Sequence, residues 1–440
     1  MRKIVVVGGG YAGFYAAWGL EKRLGPAEAE ITVIDPRPYM TYQPFLPEVA
    51  AGSIEARHAA VSLRRHLRRS RVVAGTVTRI DHALRQVTVQ PAEGEAYTYS
   101  YDIVVVTAGA VTRKFPIPGI EENGIGLKHV EEAVAIRDQI LVSFDRAAGL
   151  PPGPERTRLL TVTFVGGGFT GVEGFGETLS LATTLLASYP ELTADDLHFH
   201  LVEARDRILP EVSAGPGAWV VRSLRRRGGQ VHLNTSVLSA EDGHVVLSNG
   251  EEFDSELIVW TAGNAANPVV AKHTDLPVTE NGLLLVGADL RVGAAAPVAD
   301  AWSAGDAASI PDLTSDNPAA RTVPNAQHAY RQGKHLARNV AAVLHGQEPK
   351  AYVHTSLGVV ATLGLGRGVF QSGPLVIKGF LAWLLHRGYH VLAVPSWERK
   401  VRVLTDWLPA MLFGRDIVSL QAVQHPRDAF VRGGSPYVGS

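Results

Sequence analysis

Two stretches of the sequence set glycine at the same three relative positions: Gly8, Gly10 and Gly13, then Gly166, Gly168 and Gly171, offset by 158 residues. In the spacing G-x-G-x-x-G the first glycine permits a tight turn and the second lets backbone approach a pyrophosphate. The third lets a helix pack closely on the strand before it. A helix starting there offers phosphate its unpaired N–H groups and a partial positive charge. With 45 glycines in 440 residues, one such loop alone is often an ordinary turn. Here each is followed by a strand ending in an acid. Ile31–Asp35 ends 22 residues past Gly13, and His198–Glu203 ends 32 residues past Gly171. Alone, either acid is a solvated strand end. Behind such a loop, it accepts a ribose hydroxyl and repels a 2′-phosphate. Glu203 therefore predicts NADH in preference to NADPH, although Arg205 and Arg207 just behind it could tolerate a phosphate.

The elements that must position these residues also come in pairs. Lys3–Val7 reads as a buried strand leading through the first loop into a helix over Phe14–Leu24. Leu159–Val165 leads through the second into a helix reaching about Ser188. Tyr101–Val106 runs into Thr107-Ala108-Gly109, and Leu257–Trp260 into Thr261-Ala262-Gly263, each closing one repeated unit. A strand over Val298–Ser303 precedes Gly305-Asp306, where a carboxylate can lie beside a ribityl chain. The predicted fold is α/β, with two Rossmann-like dinucleotide-binding domains and a C-terminal helical, amphipathic region. An FAD domain (1–120 and 276–350) is split in sequence around an NADH domain (121–275), and residues 351–440 follow.

Composition bounds the chemistry. A net charge of −1 gives no reason to expect nucleic acid. There is no cysteine, which excludes disulfide exchange, thiolate metal sites and iron–sulfur clusters. Redox chemistry must then run through a bound organic cofactor. The histidines, His58 and His66 among them, show no metal-ligand spacing, so no metal is expected. The short apolar run Ile4–Val7 is unlike a secretory signal, and no uncharged stretch approaches the ~20 residues of a membrane span. Both point to a cytoplasmic chain.

Five stretches make the sequence resemble the two-dinucleotide-domain flavoprotein reductases and, within them, the type II NADH dehydrogenases (NADH:quinone oxidoreductases). Ile34–Tyr39 with Gln43–Leu46 and Glu48–Ala50 is similar to that family's segment around the flavin. Gly171-Val172-Glu173 with Gly176-Glu177 is similar to its NADH-loop helix. Trp260–Gly263 and Gly305-Asp306 match as well. Pro324–Gly333 resembles the helix that covers the flavin and borders the quinone, and Gly379–Trp383 its membrane-contacting region. Relatives that reduce disulfides or oxidise sulfide need cysteines, which this chain lacks. Three positions depart from the family: Phe169 stands at a usual proline, Gly174-Phe175 at leucine and alanine, and Arg331 at the first of two paired glutamines. Gly174, inside a helix, implies close packing against something bulky.

The resemblance implies NADH oxidation through FAD with electrons passing to a quinone, without proton pumping, at the inner face of the cytoplasmic membrane. It implies FAD contacts from Gly8, Gly10, Tyr11, Ala12, Gly13, Asp35, Pro36, Gln43, Pro44, Thr107, Ala108, Gly109, Gly305, Asp306, Ala326 and Gln327. NADH contacts would come from Gly166, Gly168, Phe169, Thr170, Gly171, Glu203, Ala262 and Gly263. Glu173, two residues past Gly171 and so in the first turn of its helix, could orient nicotinamide or relay a proton. It could equally be an acid favoured by the helix dipole. Gln327 and Gln332 are candidate acceptor-pocket residues, and His328 is a packing neighbour.

The tail has a different texture. Val376–Val394 is apolar and aromatic but interrupted by Lys378, His386, Arg387 and His390. After Pro395, Ser396 is a candidate N-cap. Trp397, Val401, Leu404, Leu408 and Met411 then recur at helical spacing, with Arg399, Lys400 and Arg402 mostly off that stripe and Pro409 inside it. The stripe either packs on the body or a second subunit of a homodimer, or makes peripheral membrane contact through residues 376–420. Two further readings stay open beside the quinone reductase. One is a soluble NAD(P)H-dependent flavoprotein reductase with a protein or other small-molecule acceptor, and the other a low-turnover NADH-sensing flavoprotein.

Overall fold

The structure is a computed structural model that describes residues 1–419, Arg427 and Val431. The rest of the expected 351–440 region, including the last residue of the 376–420 segment, lies outside the described residues. The elements used below are, in chain order, β1 (Arg2–Val7), α1 (Tyr11–Glu21), β2 (Ala29–Asp35), α2 (Leu46–Ala50), β3 (Arg71–Ala74), β4 (Ile103–Val106), β5 (Gly124–Ile125), β6 (Thr161–Val165), α3 (Phe169–Leu185), β7 (His198–Val202), β8 (Gly229–His232), β9 (Leu257–Trp260), β10 (Ala301–Ser303), α4 (Ala326–Leu344), β11 (Val359–Thr362), α5 (Phe380–Ala393) and α6 (Trp397–Leu412).

The chain divides into two compact units. The first takes residues 1–43, 60–113 and 264–357, the second 44–59, 114–263 and 358–440. The segment around Glu48 and the C-terminal helices therefore belong with the second glycine loop.

Each unit is built on a five-stranded parallel sheet. In the first the order is β10-β4-β1-β2-β3, and in the second β5-β9-β6-β7-β8. The two orders match strand for strand from each glycine loop outward. They differ in the origin of the outer strand, which comes late in the chain in the first unit (β10) and early in the second (β5). Parallel strands covered on both faces read as continuous apolar runs, and Ile4–Val7 and Val104–Val106 are each fully or almost fully buried. In the second unit alternate residues serve two faces. Phe164 and Phe199 stack edge-on with Phe175 of α3, while Val165, Val202, Ile258 and Trp260 pack with Val237, Val245 and Leu247.

Element ends differ from the sequence reading for physical reasons. Both helices behind the loops start within the motif, at Tyr11 and Phe169, because the third glycine is already helical. Glu173 is therefore the fifth residue of α3, beyond the first turn expected for it. The strand expected over Val298–Ser303 shrinks to Ala301–Ser303, since Asp300 has φ +61° and Val298 N–H turns back to the Val292 carbonyl.

Candidate functional site

The two loops share one hydrogen-bond plan. Gly8 N–H donates to the Ile34 carbonyl (2.9 Å) and Thr107 N–H to that of Val7 (2.8 Å). Gly166 N–H donates to Val202 (2.8 Å) and Thr261 N–H to Val165 (2.8 Å). The threonine hydroxyls repeat the match: Thr107 Oγ1 reaches the carbonyls of Val7 and Gly8 (3.0 and 2.9 Å), and Thr261 Oγ1 those of Val165 and Gly166 (2.8 and 3.2 Å). Gly8 (φ +95°) and Gly166 (φ +110°) occupy backbone that side chains rarely adopt. A Cβ at Gly13 would sit 1.8 Å from Gly8 O, and one at Gly171 would sit 1.9 Å from Gly166 O. No other residue fits at either third position.

The second glycines behave differently. A Cβ on Gly10 or Gly168 would meet nothing within 4 Å, so the loop is open there. Both residues cap their helices with no side-chain hydrogen bond, and neither α1 nor α3 has an acid in its first turn. A helix start with no side-chain cap and no acid in its own first turn suits a phosphate.

The acids also match. Asp35 Oδ2 accepts from Gly9 N–H and Oδ1 from Arg37 N–H, both at 2.7 Å. Glu203 Oε2 accepts from Gly167 N–H at 2.6 Å and Oε1 from Arg205 N–H at 2.8 Å. Burial pushes the Asp35 carboxyl up, against the pull of its two N–H donors. Each carboxylate is thus fixed at the rim of its loop with lone pairs to spare, as a ribose partner must be. In the first unit Gly305 (φ +73°) approaches Ala12, and a Cβ on Gly333 of α4 would sit 2.3 Å from the Ala12 carbonyl. Gly305, Asp306, Asn325 and Gln332 line a pocket of about 650 Å³ together with Arg113 and Arg321. The residues present therefore fit a dinucleotide in either loop.

The two candidate acceptor residues, Gln332 and Gln327, each have partners within the first unit. Gln332 is buried, its Oε1 accepting from Gly305 N–H (2.9 Å) and its Nε2 donating to Thr322 Oγ1 (3.1 Å). It braces the Gly305-Asp306 turn. Gln327 Oε1 lies 3.0 Å from His354 Nε2, and Arg331 donates to the Gln327 carbonyl one turn back (3.0 Å). His328 is a buried neighbour, hydrogen-bonded to Tyr352 Oη at 3.0 Å. Of the expected pair Gln43–Pro44, the first belongs to the first unit and the second to the second.

Glu173 lies in a buried ionic cluster of the second unit. Its Oε1 accepts from Thr362 N–H (3.0 Å) and lies 3.2 Å from His386 Nε2, off the axis for a hydrogen bond. Glu177, one turn on, accepts from Thr362 Oγ1 (2.6 Å) and pairs with Arg415 Nη2 (2.6 Å). Glu48 of α2 pairs with Arg387 Nη1 (2.8 Å) and accepts from Trp407 Nε1 (2.7 Å). Burial pushes Glu173 up to about 8 and Glu48 upward too, Arg387 opposing the latter; burial also takes His386 down to about 3.

Across residues 2–333 the sequence matches the pyridine nucleotide-disulphide oxidoreductase family. The chain belongs to that family. It is 28% identical to a probable NADH dehydrogenase of Dictyostelium discoideum (95% of this chain, 91% of that one). It is also 28% identical to the type II NADH:quinone oxidoreductase Ndh of Mycobacterium tuberculosis (94% and 89%). The fold matches a solved structure of NDH2 from Plasmodium falciparum in complex with NADH, with a TM-score of 0.86, 18% identity, and 95% of this chain and 99% of that one covered.

This pyridine nucleotide-disulphide oxidoreductase, an oxidoreductase enzyme like its relatives, has no cysteine and so cannot perform the disulphide chemistry in the family's name. Both loops, both acids and both threonines stand where the sequence pattern puts them. Sequence reasoning missed the partners of Glu173. His386 and Arg387 had left a signal as polar interruptions of an apolar run, and Glu48 as part of a family-like segment. Arg415 left none.

Proposed function

We propose that the chain oxidises NADH through FAD and passes the electrons to a quinone, without proton pumping. The observation that carries this reading is the duplicated cradle: two loops of identical hydrogen-bond plan, each rimmed by a carboxylate, in a chain without a thiol. FAD supplies the hydride-accepting and electron-donating chemistry when bound. Gly8–Gly13 and the start of α1 would hold its pyrophosphate, Asp35 a ribose hydroxyl, and Asp306 the ribityl end. Gly166–Gly171 and Glu203 would hold NADH, and the Glu203 carboxylate would repel the 2′-phosphate of NADPH. Glu173 would supply a proton. The name of the Mycobacterium relative supports quinone as the acceptor.

The outer face of α5 and α6 supports peripheral membrane contact, at the inner face of the cytoplasmic membrane. Trp397, Val401, Leu404, Leu408 and Met411 are all more than half exposed or at the half, while Val403, Trp407 and Ala410 take the buried side. Exposure of the stripe among the described residues supports this reading over packing on the body. No helix among the described residues is long and apolar enough to cross a membrane. Lipid or a second copy of the chain would cover this face.

The test is steady-state NADH oxidation by the purified protein, with a short-chain quinone as acceptor. The expected result is a yellow protein with quinone-dependent turnover. A colourless protein that fails to take up FAD, or turnover with ferricyanide but none with quinone, would sink the respective part. Flotation with anionic vesicles, with and without residues 376–440, checks the membrane contact through loss of flotation on truncation.

A further inference from the structure

Among the described residues, the cluster behind α3 contains three buried carboxyls but only two ion-paired arginines. Arg387 holds Glu48, and Arg415 holds Glu177. Arg227, also close, spends its guanidinium on the carbonyls of Leu363 and Gly176. His390 stacks edge-on against His386, 4.4 Å between ring centres, and burial keeps it uncharged. Among the described residues, that leaves Glu173 with no cation except the proton His386 could carry. An unpaired buried carboxylate is too costly to persist, so the cluster must hold one proton on Glu173 or on His386.

The geometry gives this proton a direction. The imidazole lies between two acids, Nε2 being 3.2 Å from Glu173 Oε1 and Nδ1 4.0 Å from Glu48 Oε1. Glu48 Oε1 and both ring nitrogens have no hydrogen-bond partner among the described residues, although all three are buried. Unsatisfied buried groups this close call for a water or a movable proton. Glu48 is wholly buried and the His386 side chain is 1% exposed, whereas that of Glu173 keeps 10%. Glu173 is the outlet.

We propose that Glu173 and His386 share one exchangeable proton, and that His386, a positioning residue oriented by Glu48, resupplies Glu173 as it delivers that proton to the reduced acceptor. The inference rests on the quinone reading, because NADH and a quinone need one further proton to yield NAD⁺ and a quinol. Glu173 O–H gives its proton to the acceptor oxygen, and His386 Nε2–H reprotonates Glu173. A proton from water reaches Nδ1 as Nε2–H leaves, on the side where Glu48 Oε1 lies 4.0 Å away, and the ring's tautomer resets through the same water between turnovers. Glu48 stays a carboxylate throughout, paired with Arg387 and accepting from Trp407, and orients the imidazole.

Infrared spectra of the full-length holoenzyme at neutral pH, in H₂O and D₂O, test the shared proton. A protonated-carboxyl band is expected that Glu173→Gln removes and His386→Gln shifts. The ratio of short-chain-quinone to ferricyanide turnover, taken in one sample so that loss of folded protein cancels, tests delivery. It should fall about tenfold or more in His386→Gln and in Glu48→Gln. A missing carboxyl band, or a ratio within twofold of wild type in both variants, overturns the proposal. Wild-type protein without quinone turnover would overturn the functional reading and the delivery step, while a band that shifts in His386→Gln would still uphold the shared proton.

Discussion

At the 158-residue offset that aligns the glycine loops, Glu173 and Glu177 of α3 correspond to Tyr15 and Gly19 of α1. The fronts of the two helices are alike, but their backs are not. On α1 the back is a helix-packing surface. Tyr15 lies edge-on to Tyr330 of α4 (4.5 Å between ring centres), and a Cβ on Gly19 would come within 2.6 Å of the Ala337 Cβ. On α3 the back carries the acids of a buried ionic cluster. A loop that binds a phosphate constrains only the first turn of its helix, so the next two turns are free to diverge. In the first unit they anchor a helix, and in the second they hold charge.

The contrast breaks most visibly in stability. Arg415→Ala leaves Glu177 buried without its cation, and removing one partner of a buried pair costs about 3–5 kcal/mol. At the corresponding place on α1, Gly19→Ala only overpacks a helix contact, for about 1–3 kcal/mol. Denaturant unfolding of the two variants should rank them in that order. A reversed ranking would mean that the cluster is more hydrated than its burial indicates.

The likeness of the fronts is tested by the third glycines. In Gly13→Ala and Gly171→Ala the added methyl must displace a carbonyl at under 2 Å. A penalty of about 3 kcal/mol weakens binding roughly 100-fold. The expected losses fall on different ligands: flavin retention for Gly13→Ala, and NADH affinity with flavin still bound for Gly171→Ala. Fluorescence of released flavin and NADH titration separate the two, and loss of the same ligand in both variants would contradict the assignment.

The acidic back should also mark the pH dependence of stability. Glu173 is raised in the folded state to about 8, above the usual carboxyl value. Its contribution is therefore fully present below about 4.5 and is lost as pH rises through about 8. The slope approaches ~1.4 kcal/mol per pH unit for one proton. His386, lowered to about 3, acts in the opposite sense, its contribution present above about 6.5 and lost as pH falls through about 3. Glu173→Gln should flatten the alkaline side of a melting-temperature profile and leave the acid side. Tyr15, at the corresponding position on α1, contributes nothing in that range.

Legibility in the sequence follows the same division. The loops could be read because their chemistry is local: a glycine at a positive φ or an acid 22 residues on leaves a fixed spacing. The parallel strands could be read because burial on both faces makes them continuous apolar runs. The ionic cluster could not be assembled, since Glu48, Glu173, His386 and Arg415 come from four distant segments and no periodicity links them. The α6 stripe could be seen but not assigned a direction; that came from Val403 and Trp407 taking the buried side.

The smallest expected effect concerns the two rim acids, whose likeness is closest. Asp35 and Glu203 accept the corresponding pair of backbone N–H groups, so replacing either by alanine leaves two donors without that acceptor and costs the fold about 1 kcal/mol. Their functional consequences should differ. A ribose hydroxyl lost from Glu203 weakens NADH by about 1.5–3 kcal/mol for a charge-assisted bond, and loss of the negative charge removes the repulsion of a 2′-phosphate. Glu203→Ala should therefore narrow the ratio of kcat/KM for NADH over NADPH by about tenfold or more, with Arg205 and Arg207 close behind in sequence as cations for the phosphate. Asp35→Ala should leave that ratio alone and loosen the flavin instead. An NADH over NADPH ratio that moves in Asp35→Ala but not in Glu203→Ala would exchange the two cradles.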